Sequence, residues 1–242
     1  MTGARIKKII FLDFDGTLSP IVDDPSRAVI SEEAAAWLKK AASDTNLMLA
    51  IVTGRSLKDI RKMAGAKNVI YAANHGAEIF YGGKILLKKG EAFRRPLKLL
   101  AKKLRQALSQ FPGMYLEDKG LSVTVHLRRL DARHRRKVRD IVKKTAAPAL
   151  AGYGLQLTYG KMVMEIRPAD HWNKGDAVLW IRDNLAPDRL PFYVGDDLTD
   201  EDAFRALKSC GITIRIRDKR DSLAEYTTPS FNALIRSGLF EC

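Results

Sequence analysis

Cysteine is nearly absent from this sequence. Cys210 and Cys242 are the only two among 242 residues, too few for a disulfide framework, and neither belongs to a paired motif of the kind that binds zinc. Long apolar runs are also missing, since no segment approaches the roughly 20 apolar residues that a membrane span needs. These absences argue against a disulfide-stapled secreted domain and an integral membrane protein. We therefore expect a cytoplasmic globular protein, which 46% hydrophobic and 29% charged residues also favour.

Acidic residues are scarce relative to basic ones, and the imbalance is regional. The formal net charge is +14, but residues 91–170 hold 18 Lys and Arg against 7 Asp and Glu, so they carry +11 and the other residues only +3. Such an excess can attract nucleic acid, an acidic membrane surface or anionic metabolites. Its densest run, Arg133–Arg139, contains no aromatic residue, which indicates a solvated helix face. We expect neither a nucleic-acid partner nor a membrane partner.

Strand and helix patterns alternate at both ends of the chain. In the first half, buried-strand patterns at 8–14, 47–53 and 69–72 alternate with helix patterns at 31–42 and 56–64. In the second half, helix patterns at 174–183 and 199–207 alternate with strand patterns at 191–194 and 212–216. This alternation predicts an α/β fold with one Rossmann-like, doubly wound parallel sheet that is split in sequence.

A region of different pattern separates the two halves. Leucines at helical spacing predict a helix at 97–111, and a second helix is predicted at about 131–147. Strand pairs are predicted at 114–117 with 121–127, and at 155–159 with 162–167. The order αββαββ is typical of a small α+β domain. We expect residues 1–85 and 171–242 to form the core and residues 86–170 an inserted domain, with residues 82–90 and 168–173 as the two crossings.

Chemically reactive residues lie where the predicted strands end. In a parallel sheet, ligands bind beyond the carboxyl ends of the strands. The first strand ends in Asp13 and Asp15, whose spacing points both carboxylates to one side of the chain. The second ends in Thr53-Gly54 directly before a helix N-terminus, an arrangement that suits phosphate. An acidic segment, residues 196–201, follows a later strand, and Lys174 opens the helix before that strand.

These residue types suit the hydrolysis of a phosphate monoester. A carboxylate nucleophile and a dianionic phosphate repel each other, so a divalent cation must neutralise both, and oxygen ligands from Asp13 and Asp196 suit Mg²⁺. Lys174 and the Thr53-Gly54 turn can hold the equatorial oxygens of the transition state. Asp15 can protonate the leaving group and then activate water. The sequence therefore predicts a Mg²⁺-dependent phosphatase that forms an aspartyl-phosphate on Asp13.

Four segments together resemble the motifs of the haloacid dehalogenase superfamily. They are Asp13-x-Asp15-Gly16-Thr17, Thr53-Gly54-Arg55, Lys174 and Gly195-Asp196-Asp197-x-Thr199-Asp200-Glu201. The resemblance implies a phosphatase rather than a dehalogenase, because dehalogenation needs no second acid at Asp15, and the position of the insert matches the type II cap class. It also implies three groups of residues: catalytic Asp13, Asp15, Thr53 and Lys174; substrate-binding Gly54 and Arg55; and metal-binding Asp13, Asp15, Asp196, Asp197 and Asp200.

Within that superfamily, three segments resemble the trehalose-6-phosphate phosphatase family. Residues 160–168 match its Gly-Lys-x-x-x-Glu-x-Arg-Pro strand, and residues 120–128 match a strand ending in His-aromatic-Arg, with Leu127 in place of the aromatic residue. Residues 74–78 match its Asn/Ser-His-Gly-x-Glu segment. The resemblance implies trehalose 6-phosphate as the small-molecule substrate. The substrate-binding residues that it implies are Asn74, His75, Arg128, Lys161, Glu165 and Arg167.

Several of these residues have structural interpretations as well. Lys161 and Glu165 share one strand face, as a sugar-binding surface requires, but an exposed cross-strand ion pair would give the same pattern. His75 and His126 can be structural histidines with satisfied hydrogen bonds. Arg167 can pair with an acid of the core instead of contacting substrate.

Other functions remain open at this point. Sucrose-phosphate and mannosylglycerate-phosphate phosphatases share the core and the cap class of the resemblance, whereas a phosphomutase usually has its cap after the first motif. A catalytically inactive module that binds through the basic insert is the alternative from a different class, and the intact acids and lysine of the four motifs argue against it. We expect a monomer.

Overall fold

The computed structural model describes residues 6–22, 24, 27–160, 162–169, 172–218 and 221–240. These residues form two compact units. The first comprises the residues up to Lys88 together with those from Trp172 onward, and the second lies between Lys89 and His171. Within the described ranges, no helix is long and apolar enough to cross a bilayer.

The helices and strands alternate along the chain, with a different order in the middle third. They are β1 (Lys8–Leu12), α1 (Glu32–Ala41), β2 (Leu47–Val52), α2 (Leu57–Ala64), β3 (Val69–Ala73), β4 (Glu78–Tyr81), β5 (Lys84–Lys88), α3 (Arg94–Leu108), β6 (Tyr115–Asp118), β7 (Val123–His126), α4 (Ala132–Tyr153), β8 (Leu155–Gly160), β9 (Val163–Pro168), α5 (Lys174–Leu185), β10 (Leu190–Gly195), α6 (Glu201–Leu207), β11 (Ile212–Ile216), β12 (Tyr226–Thr228) and α7 (Phe231–Arg236).

An eight-stranded sheet forms the centre of the first unit. Its order is β12-β11-β10-β1-β2-β3-β4-β5. The strands from β12 to β3 are parallel, and the β4–β5 hairpin adds two antiparallel strands at one edge. The chain turns to opposite sides of β1, because β2 lies on one flank and β10 on the other. Such a switch point opens a crevice at the carboxyl ends of β1 and β10, where ligands of α/β sheets bind.

Helices cover both faces of this sheet, and alternate residues of β1 point to opposite faces. Ile10 and Leu12 belong to a core with buried residues of α1, α2 and α7. Ile9 and Phe11 belong to the core on the other face, with buried residues of α5 and α6. Because both faces are covered, the central strands are apolar throughout. This confirms the predicted doubly wound α/β core.

The second unit is an antiparallel sheet with helices on one face. The strand order is β6-β7-β9-β8. Leucines of α3 and valines of α4 share a core with Val125 and Met164 from the sheet. The opposite face carries a polar row across all four strands, because Glu117, Thr124, Glu165 and Thr158 are neighbours in register. The row lies on one face of the sheet because side chains alternate along each strand.

Several elements differ from the sequence-based expectation. Residues 82–90 were expected to be a crossing, but they contain strand β5 and the two-residue turn of the β4–β5 hairpin, Gly82-Gly83, with φ of 57° and 83°. Both positive values suit the tight turns that join antiparallel strands. Helix α4 continues past Pro148 to Tyr153, because Leu150 still packs against the core. Strand β12 and helix α7 were not predicted.

Candidate active site

Asp13 lies directly beyond β1, at the carboxyl edge of the eight-stranded sheet. Its backbone N–H donates to the Val194 carbonyl at 2.9 Å, which continues the pairing of β1 with β10. Its side chain is 5% exposed, and Oδ1 accepts a hydrogen bond from Lys174 Nζ at 2.8 Å. The same ammonium donates to Asp200 Oδ1 at 2.8 Å. Two carboxylates that are far apart in sequence therefore share one buried cation.

The start of α5 determines where Lys174 lies. Asn173 caps the helix: its side-chain oxygen accepts from the N–H groups of Gly175 at 2.8 Å and Asp176 at 3.2 Å. In return, the Asn173 N–H donates to the Asp176 carboxylate at 2.9 Å. This reciprocal capping box fixes the first turn of the helix. Lys174, the first residue of α5, is thereby held with its ammonium in the buried cluster.

Asp200 is the most heavily hydrogen-bonded acid of the cluster. Oδ1 accepts from Lys174 and from the Tyr193 hydroxyl at 2.6 Å, and Oδ2 accepts from the N–H groups of Asp196 at 2.9 Å and Asp197 at 3.0 Å. A carboxylate offers about four acceptor positions. All of them are thus used by this chain, so Asp200 holds Lys174 and the following loop in position.

Burial and like charge shift the titration of the cluster. Burial raises the pKa of Asp13 well above its ordinary value, against the lowering effect of Lys174. For Lys174, burial lowers the pKa, but Asp13 and Asp200 outweigh it, so the pKa lies above the ordinary range and the ammonium keeps its charge. Burial, followed by the charges of Asp200 and Asp197, raises the pKa of Asp196 to about 7. With all its acids ionised, the cluster would carry more negative than positive charge, and the raised pKa values express this cost, which a divalent cation relieves.

Asp196 completes the acidic group. One oxygen each from Asp13, Asp196 and Asp200 lies within 4.8 Å of the others. Arg217 donates to Asp196 Oδ2 at 3.3 Å, whereas Asp196 Oδ1 is buried and has no hydrogen-bond partner within the described part of the chain. Gly16 has φ of 89°, and a β-carbon there would overlap the Asp196 carboxylate, so the close approach requires glycine. Hard oxygen donors and an unsatisfied carboxylate oxygen fit a Mg²⁺-like cation.

Asp197 has a local role in the loop. Its Oδ1 accepts from the Thr199 N–H at 2.8 Å and the Thr199 hydroxyl at 2.7 Å, and it caps the short 3₁₀ turn Leu198–Asp200. This is the ordinary behaviour of an aspartate at an N-cap. Of the five residues predicted to bind metal, Asp13, Asp196 and Asp200 converge, while Asp197 caps the turn.

Asp15, the fifth, pairs with Arg55. Arg55 Nε donates to Asp15 Oδ2 at 2.7 Å and Nη2 to Oδ1 at 2.5 Å, a bidentate arrangement that orients the carboxylate plane. The Arg55 side chain is 11% exposed and that of Asp15 is 44% exposed. Arg55, predicted to bind substrate, thus contacts the proposed acid directly.

The turn after β2 is backed by the segment that follows β3. Asn74 N–H donates to the Arg55 carbonyl and His75 N–H to the Thr53 carbonyl, both at 2.8 Å. A β-carbon on Gly54 would lie 2.7 Å from the His75 ring, so no larger residue fits there. Asn74 also donates to Glu78 at 2.8 Å. Asn74 and His75, predicted to bind substrate, therefore pack against the Thr53–Arg55 turn and hold it in place.

In the second unit, Glu165 lies at the centre of the polar row. Its Oε1 accepts from Ser122 Oγ at 2.8 Å, Thr124 Oγ1 at 3.3 Å and Lys119 Nζ at 3.5 Å. Arg167 lies on the same strand face as Glu165, and its Nε is buried without a hydrogen-bond partner among the described residues. Arg128 follows β7 and is partly buried. Lys161, predicted to bind substrate, lies outside the described residues.

Three contributors were not predicted from sequence. Tyr193 lies in the buried strand β10, where a phenol needs a hydrogen-bond partner, and this could have indicated a buried acid nearby. Glu201 accepts from Arg215 at 2.6 Å and from Ser222 at 2.7 Å, and so ties α6 to β11 and the segment after it. Arg217 reaches Asp196 from a left-handed backbone position, φ 70°, for which the sequence carries no signal.

Comparison with known proteins identifies the family of the chain. The sequence profile of the trehalose-phosphatase family matches residues 11–232. The chain belongs to the trehalose-phosphatase family. The resemblance to this family and to the haloacid dehalogenase superfamily, inferred from motifs at the strand ends and in the insert, is thereby confirmed.

Individual members of the trehalose-phosphatase family show the extent of the similarity. Trehalose-phosphate phosphatase B of Arabidopsis thaliana is 35% identical over 227 residues, which cover 87% of this chain and 59% of that protein. Trehalose-phosphate phosphatase of Mycobacterium marinum is 37% identical over 221 residues, 88% of this chain and 54% of the relative. The chain thus spans little more than half the length of these relatives. A crystal structure of a trehalose-6-phosphate phosphatase related protein superposes with a TM-score of 0.82 at 27% identity, covering 95% of this chain and 96% of the other.

Proposed function

We propose that this protein hydrolyses trehalose 6-phosphate to trehalose and phosphate through a phosphoryl group carried on Asp13, with Mg²⁺ as cofactor. The observation that carries the proposal is the buried cluster of Asp13, Lys174 and Asp200 at the switch point of the sheet, in a chain of the trehalose-phosphatase family. A phosphoryl-transfer site needs a carboxylate nucleophile beside fixed positive charge, and this cluster supplies both.

In the first half-reaction, an Asp13 oxygen attacks phosphorus and the sugar oxygen leaves in line with it. A proton from Asp15 neutralises the departing oxygen, which gives trehalose and an acyl phosphate on Asp13. The Lys174 ammonium holds the carboxylate oxygen that does not attack. The Thr53 N–H already donates to the Ala72 carbonyl at 2.9 Å, so the Gly54 N–H and the Thr53 hydroxyl are the groups of this turn proposed to hold phosphoryl oxygens as negative charge shifts among them.

In the second half-reaction, Asp15 takes a proton from water. The resulting hydroxide attacks phosphorus, the bond to Asp13 breaks, and inorganic phosphate leaves with the carboxylate restored. The bidentate pair with Arg55 is the arrangement expected for Asp15 as a carboxylate, between the two proton transfers. Arg55 is therefore proposed to orient Asp15 rather than to bind the sugar.

Asp13 and Asp196 are the residues proposed to hold the cation. When bound, Mg²⁺ supplies charge neutralisation between the nucleophile and the phosphate. Asp200 is proposed to keep its four hydrogen bonds within the chain and to act by positioning Lys174 and the Asp196 loop. Asp197 caps the turn and, through it, orients the same loop.

The polar row of the second unit is proposed to bind sugar hydroxyls. Glu165 offers a carboxylate that is 15% exposed and already accepts from two hydroxyls, Ser122 and Thr124. Hydroxyls of a sugar can take the place of such donors at little cost. Arg167, with its buried unpartnered Nε, is a second candidate among the described residues, and the family resemblance adds Arg128 and Lys161.

Phosphate release across a panel of sugar phosphates tests the assignment. We expect trehalose 6-phosphate to give the highest kcat/KM, above sucrose 6-phosphate, mannosylglycerate phosphate and glucose 6-phosphate. Rapidly quenched wild-type enzyme should gain one phosphoryl group by intact mass, and Asp13→Asn enzyme should gain none. Preference for another sugar would overturn the substrate but not the mechanism, whereas no turnover of any phosphate ester with added Mg²⁺ would overturn both.

A further inference from the structure

The helical layer of the second unit carries most of the net charge of the protein. Helix α3 has six Lys and Arg and no acid, and α4 has seven against a single acid, Asp140. Together they contribute 13 − 1 = +12, compared with +14 for the whole chain. Eleven of these thirteen side chains belong to exposed residues. The excess charge is thus concentrated on one structural layer.

Helical periodicity explains why this charge faces outward. Leu97, Leu100 and Leu104 of α3 and Val138 and Val142 of α4 are buried in the core against the sheet. The remaining positions point away from the sheet, and the basic residues occupy them. Both helices lie on the same face of the sheet, so their cations form one layer. From helical geometry, α3 is about 22 Å and α4 about 33 Å long, and packed helices lie about 10 Å apart.

Acidic residues that could compensate this charge are few, and two of the three lie at the starts of the helices. Glu91 pairs with Arg94 at 2.9 Å and Asp131 with Arg133 at 2.8 Å. Further along both helices, Asp140 is the one acidic residue. In sequence, Arg133–Arg139 is a basic run on a single helix and indicated a solvated face. In the fold, α3 carries a second basic run on the same face of the sheet, so the charge extends over two helices and not along one.

An apolar side chain lies among the cations of α3. Leu99 is 51% exposed, although leucines elsewhere on the helix are buried. Its helical neighbours Arg95, Lys98, Lys102 and Lys103 are all exposed. Leucine ringed by lysine and arginine is typical of helices that lie flat at a membrane interface, where the apolar group enters the headgroup region and the long basic side chains reach anionic lipids.

We propose that the α3–α4 layer binds the anionic surface of a lipid bilayer. Two helices packed side by side spread their exposed cations over an area that a planar surface can cover, whereas a duplex of nucleic acid curves away and meets a strip of them. Each basic residue near an anionic bilayer adds favourable binding energy, so eleven exposed cations suffice even if only some engage. The basic runs 94–105 and 133–144 contain no Phe, Trp or Tyr. The exposed Tyr153 lies beyond them at the end of α4, and the Tyr159 ring is already contacted by the Lys143 ammonium at 6.0 Å, so few rings are offered for stacking on single-stranded bases.

Vesicle sedimentation with the full chain tests the proposal. The protein should sediment with phosphatidylcholine vesicles that contain about one-third phosphatidylserine and stay in solution with phosphatidylcholine alone. Salt at about 0.5 M should release it, because screening shortens the range of the attraction. Equal binding to neutral vesicles, or no binding to anionic ones at low salt, would overturn the proposal.

Two triple variants distinguish the contribution of the α3–α4 layer to vesicle binding from the contribution of the overall net charge. Lys98→Glu, Lys102→Glu and Lys103→Glu together lower the net charge by six, as do Lys58→Glu, Lys62→Glu and Lys67→Glu on and just after α2, where all three lysines are exposed. The α3 variant should bind anionic vesicles about 100-fold more weakly than wild type. The α2 variant should keep most of the affinity. An equal loss in both, with thermal unfolding unchanged, would attribute binding to overall charge and refute a specific layer.

Leu99→Gln tests the apolar contact without changing charge. Vesicle affinity should fall about 3- to 10-fold, and binding of a short DNA duplex in a gel shift should not change, because Leu99 has no role against phosphates. Tight duplex binding at protein concentrations that leave anionic vesicles unbound would overturn the membrane assignment in favour of nucleic acid.

Discussion

The charged side chains of the two units differ in how deeply they are buried and in how closely they are paired. In the first, Asp13, Lys174 and Asp200 have side chains only 5%, 3% and 0% exposed, and the lysine lies 2.8 Å from each acid. In the second, Glu165 and Lys119 are 15% and 14% exposed and 3.5 Å apart, with the shorter contacts of Glu165 made by neutral hydroxyls. One cluster is sealed and ion-paired, and the other is half-open, because its charged side chains are partly exposed.

The difference indicates which parts are fixed and which can exchange partners. A buried ion in a low-dielectric site must keep its partners, because an uncompensated charge there costs several kcal/mol. A partly exposed carboxylate loses little when it exchanges one hydroxyl donor for another. The first cluster therefore suits reaction machinery that must not move, and the second suits recognition of a ligand rich in hydroxyls.

The largest expected effect comes from removing the nucleophile of the sealed cluster. Asp13→Asn should lower phosphatase activity by about 10⁴-fold or more, because an amide cannot form the acyl phosphate. The fold should remain, since the amide oxygen can still accept from Lys174 and one negative charge has been removed from an acid-rich site. Activity is checked by phosphate release and folding by thermal unfolding. Near-normal turnover would move the nucleophile to another residue.

Removing the shared cation should affect stability most. Lys174→Met leaves Asp13 and Asp200 without the ammonium between them, and such a loss costs about 3–5 kcal/mol. Lys7→Met is the matched control: Lys7 pairs with Asp188 at 3.0 Å, but the two side chains are 52% and 62% exposed, so we expect a change of about 0.5 kcal/mol or less. Urea unfolding of both variants measures the difference. Equal changes in the free energy of unfolding would show that solvent reaches the cluster of Asp13, Lys174 and Asp200 in solution.

Sequence predicted the first cluster better than the contacts within it. Carboxyl ends of parallel strands meet at one edge, so the strand pattern alone brings Asp13, Thr53 and Asp196 together. The different contacts of Asp197 and Asp200 could not be predicted, because both residues fit the same motif. Only the hydrogen bonds show that Asp197 caps the turn and that Asp200 accepts from the N–H groups of the loop. The pairing of Arg55 with Asp15 joins different strand ends through side-chain rotamers, which sequence does not encode locally.

The missed elements have physical explanations too. The Gly82-Gly83 pair is a hairpin signal, but the change of pattern around it also indicates a crossing between domains, so the sequence supports both interpretations. The structure has the hairpin. Proline usually ends a helix, yet α4 passes through Pro148 because tertiary packing of Leu150 outweighs the local cost. Strand β12 has three residues, too few for a periodic pattern to be read.

The half-open cluster should show its role in substrate selectivity. Glu165→Gln keeps an acceptor for Ser122 and Thr124 but removes the charge, and we expect kcat/KM for trehalose 6-phosphate to fall about 10-fold or more. Turnover of p-nitrophenyl phosphate, which has no sugar, should stay within about 2-fold. Asp140→Asn is the control: it removes one carboxylate charge from the exposed surface of α4, on the opposite face of the same sheet, and should leave kcat/KM for both substrates unchanged. Equal losses on both substrates would make Glu165 a residue of the fold and not of recognition.

The smallest expected effect is a pH dependence of metal affinity in the sealed cluster. The pKa of Asp196 is raised to about 7 by burial and by Asp200 and Asp197, against the lowering effects of Arg217 and Lys174. A raised acid pKa means that the metal-free fold loses stability as pH rises from the ordinary value of 3.8 through about 7, because the buried carboxylate must then ionise. A cation reverses this penalty and competes with the proton, so the apparent Kd for Mg²⁺ should become about 10-fold lower between pH 6 and pH 8 if one carboxylate titrates.

The thermal unfolding temperature, measured at increasing Mg²⁺ concentrations and at each pH, gives this Kd without substrate. Asp196→Asn should reduce the dependence to the part contributed by Asp13, whose pKa is also raised, and Arg217→Gln should move the midpoint upward by removing a charge that favours the ionised form of Asp196. A Kd for Mg²⁺ that is constant over this range would show that Asp196 is already ionised, and that the two units differ less in their electrostatics than their burial implies.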